Sequence, residues 1–145
     1  RYVDEAFHGP ALQPGEAPQR ARVNQVIGVL DAYAYRPMVW GVFVERVGQP
    51  LRGRPSDEAK IADALAASEL CLSALAALAP CQPHLLGPDL TLADLHAYPM
   101  LRYLSLAAEG EVLLNRYEPL RRWFDLMRTR PSVERTRTRY EPANP

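Results

Sequence analysis

The segment from Thr91 to Asp94 carries the most restrictive local signal in the chain, a capping box that begins a helix. The hydroxyl of Thr91 is positioned to accept from the backbone N–H of Asp94, while the Asp94 carboxylate is positioned to accept from the N–H of Thr91. Leu90 and Leu95 flank the box at the positions of a hydrophobic staple, and a carboxylate in the first turn favours the positive end of the helix dipole. A helix is therefore predicted to begin directly after Thr91.

The helix that follows the box is predicted to be the central, most buried helix of the protein. It extends from Leu92 to about Ala108, and its apolar side chains are so dense that little of its surface is expected to face water. No segment of the chain alternates convincingly between apolar and polar residues with a period of two, the pattern of a half-buried strand. The sequence therefore predicts an all-α fold.

Helical patterns before and after the central helix raise the expected number of helices to about five. The first starts near Pro18, but Pro37 should either bend it or divide it into two helices in series. The second begins with the cap-like Ser56-Asp57-Glu58 and stops at Pro80. A short helical turn and a last helix, opened by residues 117–119, follow the central helix.

These helices divide the chain into three parts. Residues 1–17 are interpreted as the end of a helix from a preceding domain, followed by a linker rich in proline and glycine. Residues 18–130 form the helical domain, and residues 131–145 form a polar, arginine-rich tail that is expected to be extended or frayed. Because the chain starts at Arg1 rather than at a methionine, we expect it to be a piece of a longer protein.

Charge and composition argue against several classes of partner. Seventeen basic and seventeen acidic residues balance, so neither nucleic acid nor an anionic membrane is expected to bind. The longest uninterrupted apolar run, residues 38–44, is far shorter than the roughly 20 residues that span a bilayer. Two cysteines make neither a disulfide framework nor a metal site, which favours the cytoplasm. Abundant alanine and arginine with a single lysine indicate GC-rich coding and hence a bacterial source.

The sequence contains no recognisable catalytic constellation. It lacks a glycine-rich phosphate loop, a nucleophile elbow and a paired-cysteine motif, and His8, His84 and His96 have no ligand-like spacing. His96 is interpreted as a hydrogen-bonded core or edge histidine in preference to a base. Cys71 is interpreted as a small buried hydrophobe in preference to a nucleophile. We therefore predict no catalytic residue and no bound metal.

An aromatic and basic group in the first long helix is the better candidate for a binding site. Tyr33, Tyr35, Arg36 and Trp40 combine flat apolar surface with polar tips and a planar cationic donor, which suits a ligand cleft. The alternative reading is that Trp40 belongs to the core, that the tyrosines line an interface and that Arg36 is solvated. The residues alone leave both readings open.

The chain resembles the C-terminal helical domain of glutathione transferases over essentially its whole length. That domain opens its central helix with a Ser/Thr-x-Ala-Asp box, which Thr91-Leu92-Ala93-Asp94 matches, and carries a proline further along the same helix. Its last long helix has a tyrosine-proline-x-leucine pattern, then a tryptophan and a final Arg-Pro. Residues 117–120, Trp123 and Arg130-Pro131 are similar to this pattern with one residue inserted. One departure is Val26, where the family usually has a tryptophan.

The resemblance implies a function for the intact protein, of which these residues provide only one part. In the family, a thioredoxin-like N-terminal domain binds glutathione and supplies the catalytic residue, and none of it is present here. The helical domain provides the wall of the site for the hydrophobic electrophile and much of a homodimer interface. By position, Tyr35 and Arg36 with Val39 and Trp40, and Tyr103 on the central helix, correspond to residues that line this cleft. The implied reaction is conjugation of glutathione to hydrophobic electrophiles, as in detoxification, and the chain alone is expected to be inactive.

A second function is compatible with the same motifs. Transferase-like helical domains also serve as non-catalytic modules for protein–protein assembly, and these relatives keep the capping box because it is needed for folding. The box therefore does not separate an enzyme from an assembly module. Retention of the full-length protein on glutathione-agarose would separate them.

Overall fold

Residues 1–141 are described by a computed structural model, and they contain helices and loops but no β-strand. The predicted all-α fold is therefore confirmed. The α-helices are α1 (Tyr2–Ala6), α2 (Ala17–Val29), α3 (Glu58–Leu78), α4 (Leu92–Ser105), α5 (Ala108–Asn115), α6 (Glu118–Arg128) and α7 (Pro131–Arg135). A stretch of wider, π-type helix from Leu30–Gly48, here called the π segment, follows α2, and a single 3₁₀ turn covers Pro50–Arg52.

The first long helix stays helical through Pro37 and is not divided there. Proline lacks an N–H and its ring crowds the carbonyl four residues earlier, so an ordinary α-helix would kink at this position. Instead, α2 continues directly into the π segment, whose turns are wider. Pro37 lies inside the π segment. The segment ends with a bond of the same wide type, from the N–H of Gln49 to the carbonyl of Val44 at 2.8 Å.

Helix α4 occupies the centre of the bundle, as the sequence predicts. It contacts α2, the π segment, α5 and α6, and its inward face is completely covered. The helix ends at Ser105, three residues before the predicted end, because the chain turns at Leu106 and Ala107 to start α5. The most deeply buried large side chains of the described residues lie on α4 or on the elements around it: Leu30, Met38, Leu72, Leu75, Leu85, Leu101, Leu104, Leu114, Leu120, Trp123, Phe124 and Met127.

Helix α3 lies along the π segment and makes the most extensive helix–helix contact in the bundle. Its first turn is capped by Asp57, whose carboxylate accepts from the backbone N–H of Lys60 at 3.0 Å. By length and composition α3 could also cross a membrane, with a mean hydropathy of 1.7 in its most apolar window. Counting only uninterrupted apolar runs misses this helix, although core helices of soluble proteins have the same property.

The C-terminal residues fold back onto the bundle. Glu141 accepts a hydrogen bond from Arg102 of α4 at 2.9 Å, and the ring of Tyr140 packs edge-on against Phe43 of the π segment at 5.2 Å. The expectation of an extended tail is therefore wrong for residues 131–141. The polar composition predicts exposure to solvent, but the side chain of Glu141 is only 8% exposed because it forms an ion pair with Arg102. Residues 142–145 of the predicted tail lie outside the described residues.

Candidate functional site

The start of α4 is fixed by Asp94, whose side chain is completely buried. The predicted capping box is present, and the Asp94 carboxylate accepts four hydrogen bonds, each of 2.8 Å. Oδ2 accepts from the N–H and the hydroxyl of Thr91, while Oδ1 accepts from the N–H of Leu85 and from the indole Nε1–H of Trp123. One carboxylate thus joins the loop before α4, the first turn of α4 and the middle of α6.

The candidate binding cavity lies between the π segment and α3. It has a volume of about 620 Å³, within the usual range for small-molecule sites. Tyr35, Arg36 and Trp40 from the π segment all line it, and the two aromatic side chains are 44% and 52% exposed. The remaining lining residues are Pro37, Gly41, Lys60, Asp63 and Ala64. Trp40 does not belong to the core, so one of the alternative readings left open by the sequence is excluded.

Close helix packing brings the two walls of this cavity together. Gly41 of the π segment lies against Ala64 of α3, and a Cβ atom built on Gly41 would overlap the Ala64 Cβ. Because residues 36, 40 and 41 share one side of the π segment, this approach sets Arg36 and Trp40 beside the first two turns of α3. The cavity therefore depends on a glycine at position 41.

Three charged side chains reach the cavity, and they differ in how they are neutralised. Lys60 is paired with Glu45, a carboxylate that is only 5% exposed. Arg36 and Asp63 are exposed, and their side chains make no ion pair or hydrogen bond with any other described residue. The cavity thus combines aromatic surface with one uncompensated cation and one uncompensated anion.

Tyr33, which is 67% exposed, and the other two residues predicted for the cleft lie outside this cavity. Val39 is half-buried on the π segment but does not line it. Tyr103 packs against Phe43 with ring centroids 4.6 Å apart and ring planes tilted by 49°, and it lines a second cavity of about 290 Å³ between α4 and the C-terminal residues. The structure therefore brings together Tyr35, Arg36 and Trp40 but not Tyr103.

The α3 side of the cavity is the part that sequence reasoning missed. Lys60, Asp63 and Ala64 lie three and four residues apart, so they share one face of α3, and this spacing was a usable signal. What the sequence lacked was any sign that this face would meet Arg36 and Trp40, which are 20 or more residues earlier in the chain.

The histidines and cysteines have structural surroundings. His96 Nε2 lies 2.6 Å from Asp31 Oδ1 and joins α4 to the π segment at the surface, which confirms the interpretation as an edge histidine. Cys71 and Cys81 are both buried and free. Burial raises the pKa of each thiol to about 11, so neither supplies a thiolate near neutral pH. No cluster of potential metal ligands occurs within residues 1–141.

Comparison with known protein families finds a match for the helical core. Residues 58–126, from the start of α3 almost to the end of α6, match the family model described as glutathione S-transferase, C-terminal domain. The matched region therefore belongs to the C-terminal domain family of glutathione S-transferases. It contains the α3 wall of the cavity, the Asp94 box and Trp123. A search of curated proteins found no match.

Solved glutathione transferases share the fold of this chain. Glutathione S-transferase III in its apo form superposes with a TM-score of 0.84 at 22% identity, covering 99% of this chain and 66% of its own. A glutathione S-transferase from Rhodospirillum rubrum F11 gives 0.77 at 25% identity, with 98% and 65% covered. A family member from Pseudomonas fluorescens Pf-5, solved with two glutathione molecules, gives 0.67 at 19%, with 86% and 54% covered. The chain thus spans two thirds or less of the length of these transferases.

Proposed function

We propose that this chain is the electrophile-binding and dimerisation domain of a glutathione transferase that conjugates glutathione to hydrophobic electrophiles. The observation that carries the proposal is the cavity between the π segment and α3, in which Tyr35 and Trp40 expose aromatic surface at the edge of a transferase fold. A flat apolar acceptor would bury surface against these rings. The solved transferase with glutathione bound supports glutathione as the co-substrate.

In the proposed reaction the domain acts by positioning. The glutathione thiolate attacks the electrophilic carbon, a carbon–sulfur bond forms, and a leaving group such as chloride departs with its electron pair. Holding the acceptor beside the thiolate lowers the entropic cost of bringing two molecules together. The described part of this domain offers no activated nucleophile or base for the thiol, so activation belongs to a thioredoxin-like N-terminal domain.

Exposed apolar side chains support the proposal that an N-terminal domain packs against this chain. Leu95 on α4 is 41% exposed although the helix is otherwise the centre of the bundle. Tyr2 and Val3 on α1 and Phe7 directly after it are each more than 60% exposed, and the ring centroids of Tyr2 and Phe7 lie 6.1 Å apart. Both surfaces are ones that a preceding domain would cover. Residues 1–17 then belong to the connection between domains, residues 18–130 to the helical domain and residues 131–145 to its tail.

We expect the protein to form a homodimer through α3. Leu70, in the middle of this helix, is 75% exposed and is flanked on the same face by small residues. Leu70→Glu is predicted to convert the dimer to a monomer, because it places a charge in the centre of the contact. Light scattering after size exclusion measures the mass. Leu126→Glu, on α6, is the matched control and should leave the dimer intact, and a monomeric wild type contradicts the proposal.

The cellular setting follows from the same proposal. Two free, buried cysteines are compatible with the cytoplasm, and we propose a cytoplasmic detoxifying enzyme of bacterial origin with neither membrane nor nucleic acid as a partner. No metal is required by this chemistry, and glutathione is the only co-substrate.

The experiment that tests the function is steady-state conjugation by the intact protein. Trp40→Ala is expected to raise the KM for 1-chloro-2,4-dinitrobenzene about fivefold, because it removes the largest exposed ring of the cavity, and to leave the KM for glutathione unchanged. Leu126→Ala, an exposed substitution away from the cavity, is the control. The chain Arg1–Pro145 alone should show no conjugation.

Two outcomes would count against this function. An equal change in both KM values would place Trp40 outside the acceptor site. If the intact protein neither conjugates the chloride nor is retained on glutathione-agarose, the non-catalytic assembly module is the correct reading.

A further inference from the structure

The charges in the cavity point to a narrower class of acceptor than a hydrophobic electrophile in general. Building on the proposed function, we propose that the site selects aromatic electrophiles that carry a single negative charge, such as a ring carboxylate, with Arg36 binding the anion. The cavity offers one guanidinium without a partner among the described residues, beside two exposed aromatic rings. A ring that bears an acid group fits both features at once.

The position of Arg36 suits this role. Residues 36 and 40 lie one turn apart on the π segment and line the same cavity, so a ring packed against Trp40 carries its substituent toward the guanidinium. Arginine presents planar donors that match the two oxygens of a carboxylate, and such charge-assisted bonds are stronger than neutral ones. The second cation of the cavity, Lys60, is already neutralised by the buried carboxylate of Glu45.

Asp63 limits the charge that the site accepts. It is exposed, lines the same cavity from α3 and has no partner among the described residues. Asp63 repels every negative charge on the ligand, but the first gains a pairing with Arg36, whereas a second would add repulsion without gaining another free cation. The site therefore favours a monoanion over both a neutral ring and a dianion.

The test compares two ligands with the same chloronitro ring, one a carboxylate anion and the other its neutral methyl ester. Binding of 4-chloro-3-nitrobenzoate and of its methyl ester to the chain Arg1–Pro145 is measured by calorimetry at low salt without glutathione. The wild type should bind the acid about tenfold more tightly than the ester, because only the acid forms a charge-assisted pair. Arg36→Gln should abolish this preference. Asp63→Asn should strengthen binding of the acid about threefold and leave the ester unchanged.

Opposite effects of the two variants separate a charge-reading site from general damage to the fold. Arg54→Gln is the matched control, since Arg54 is an exposed arginine without an ion pair in the described chain and does not line the cavity. Equal affinity of the wild type for acid and ester overturns the proposal. An equal loss of affinity for both ligands in Arg36→Gln also overturns it.

Failure of this inference is distinguishable from failure of the proposed function. If the intact protein conjugates 1-chloro-2,4-dinitrobenzene but binds acid and ester equally, the transferase assignment stands and the charge selection is wrong. If the acid is preferred in calorimetry but the intact protein neither conjugates 1-chloro-2,4-dinitrobenzene nor is retained on glutathione-agarose, the charge selection stands and the transferase function is wrong.

Discussion

Asp94→Ala is expected to lower the free energy of unfolding by about 3–5 kcal/mol, far more than the roughly 1 kcal/mol of an ordinary lost helix cap. The substitution leaves three buried N–H donors without an acceptor, on Leu85, Thr91 and Trp123. Each unsatisfied donor costs about 1–3 kcal/mol, and domains of this size have about 5–15 kcal/mol in total. Urea unfolding followed by far-ultraviolet circular dichroism measures the change.

Two further substitutions keep this prediction testable if the alanine variant does not fold. Trp123→Phe removes a single donor to Asp94 and should cost about 1–2 kcal/mol. Asp89→Ala, an exposed aspartate in the preceding loop, is the control and should stay within about 0.5 kcal/mol of the wild type. An Asp94→Ala variant as stable as the Asp89→Ala control would mean that the carboxylate does not hold these elements together.

The contrast between Asp94 and its neighbours shows what the sequence could and could not predict. Two of the four hydrogen bonds, both with Thr91, lie within the capping box and follow from a spacing of three residues. The bonds from Leu85 and Trp123 cross nine and 29 residues. Local patterns carry no information on such pairings, so the box was recognised as a helix start but not as the junction of three elements.

The same difference between local and long-range contacts applies to the candidate site and to the tail. The helix starts at Asp57 and Thr91 and near Pro119 could be predicted from the sequence, because caps and prolines act locally. The cavity wall on α3 and the ion pair between Arg102 and Glu141 depend on which surfaces meet in three dimensions. The polar tail was expected to be frayed because the partner of Glu141 lies 39 residues away in the chain and local patterns do not indicate it.

The closeness of the π segment and α3 gives the second large stability effect. Gly41→Ala is expected to destabilise the fold by about 2 kcal/mol, because the new methyl group overlaps the Cβ of Ala64 and the two helices must separate. Gly28→Ala is the matched control: it lies on the exposed face of α2 with nothing within 4 Å of an added Cβ. There the substitution should stabilise by about 0.5–1 kcal/mol through helix propensity.

A compensating exchange ties this stability effect to the packing contact itself. In Gly41→Ala combined with Ala64→Gly, the atoms nearest to the new methyl group are the Cα of residue 64 and the carbonyl oxygen of Arg36, both at 3.6 Å, an ordinary contact. We expect the double variant to recover more than half of the lost stability in urea unfolding, less the cost of a glycine within α3. Since both residues line the cavity, the single variant should also weaken binding of 4-chloro-3-nitrobenzoate and the exchange should restore it. If the two substitutions are additive, then the contact between residues 41 and 64 does not set the distance between the walls of the site.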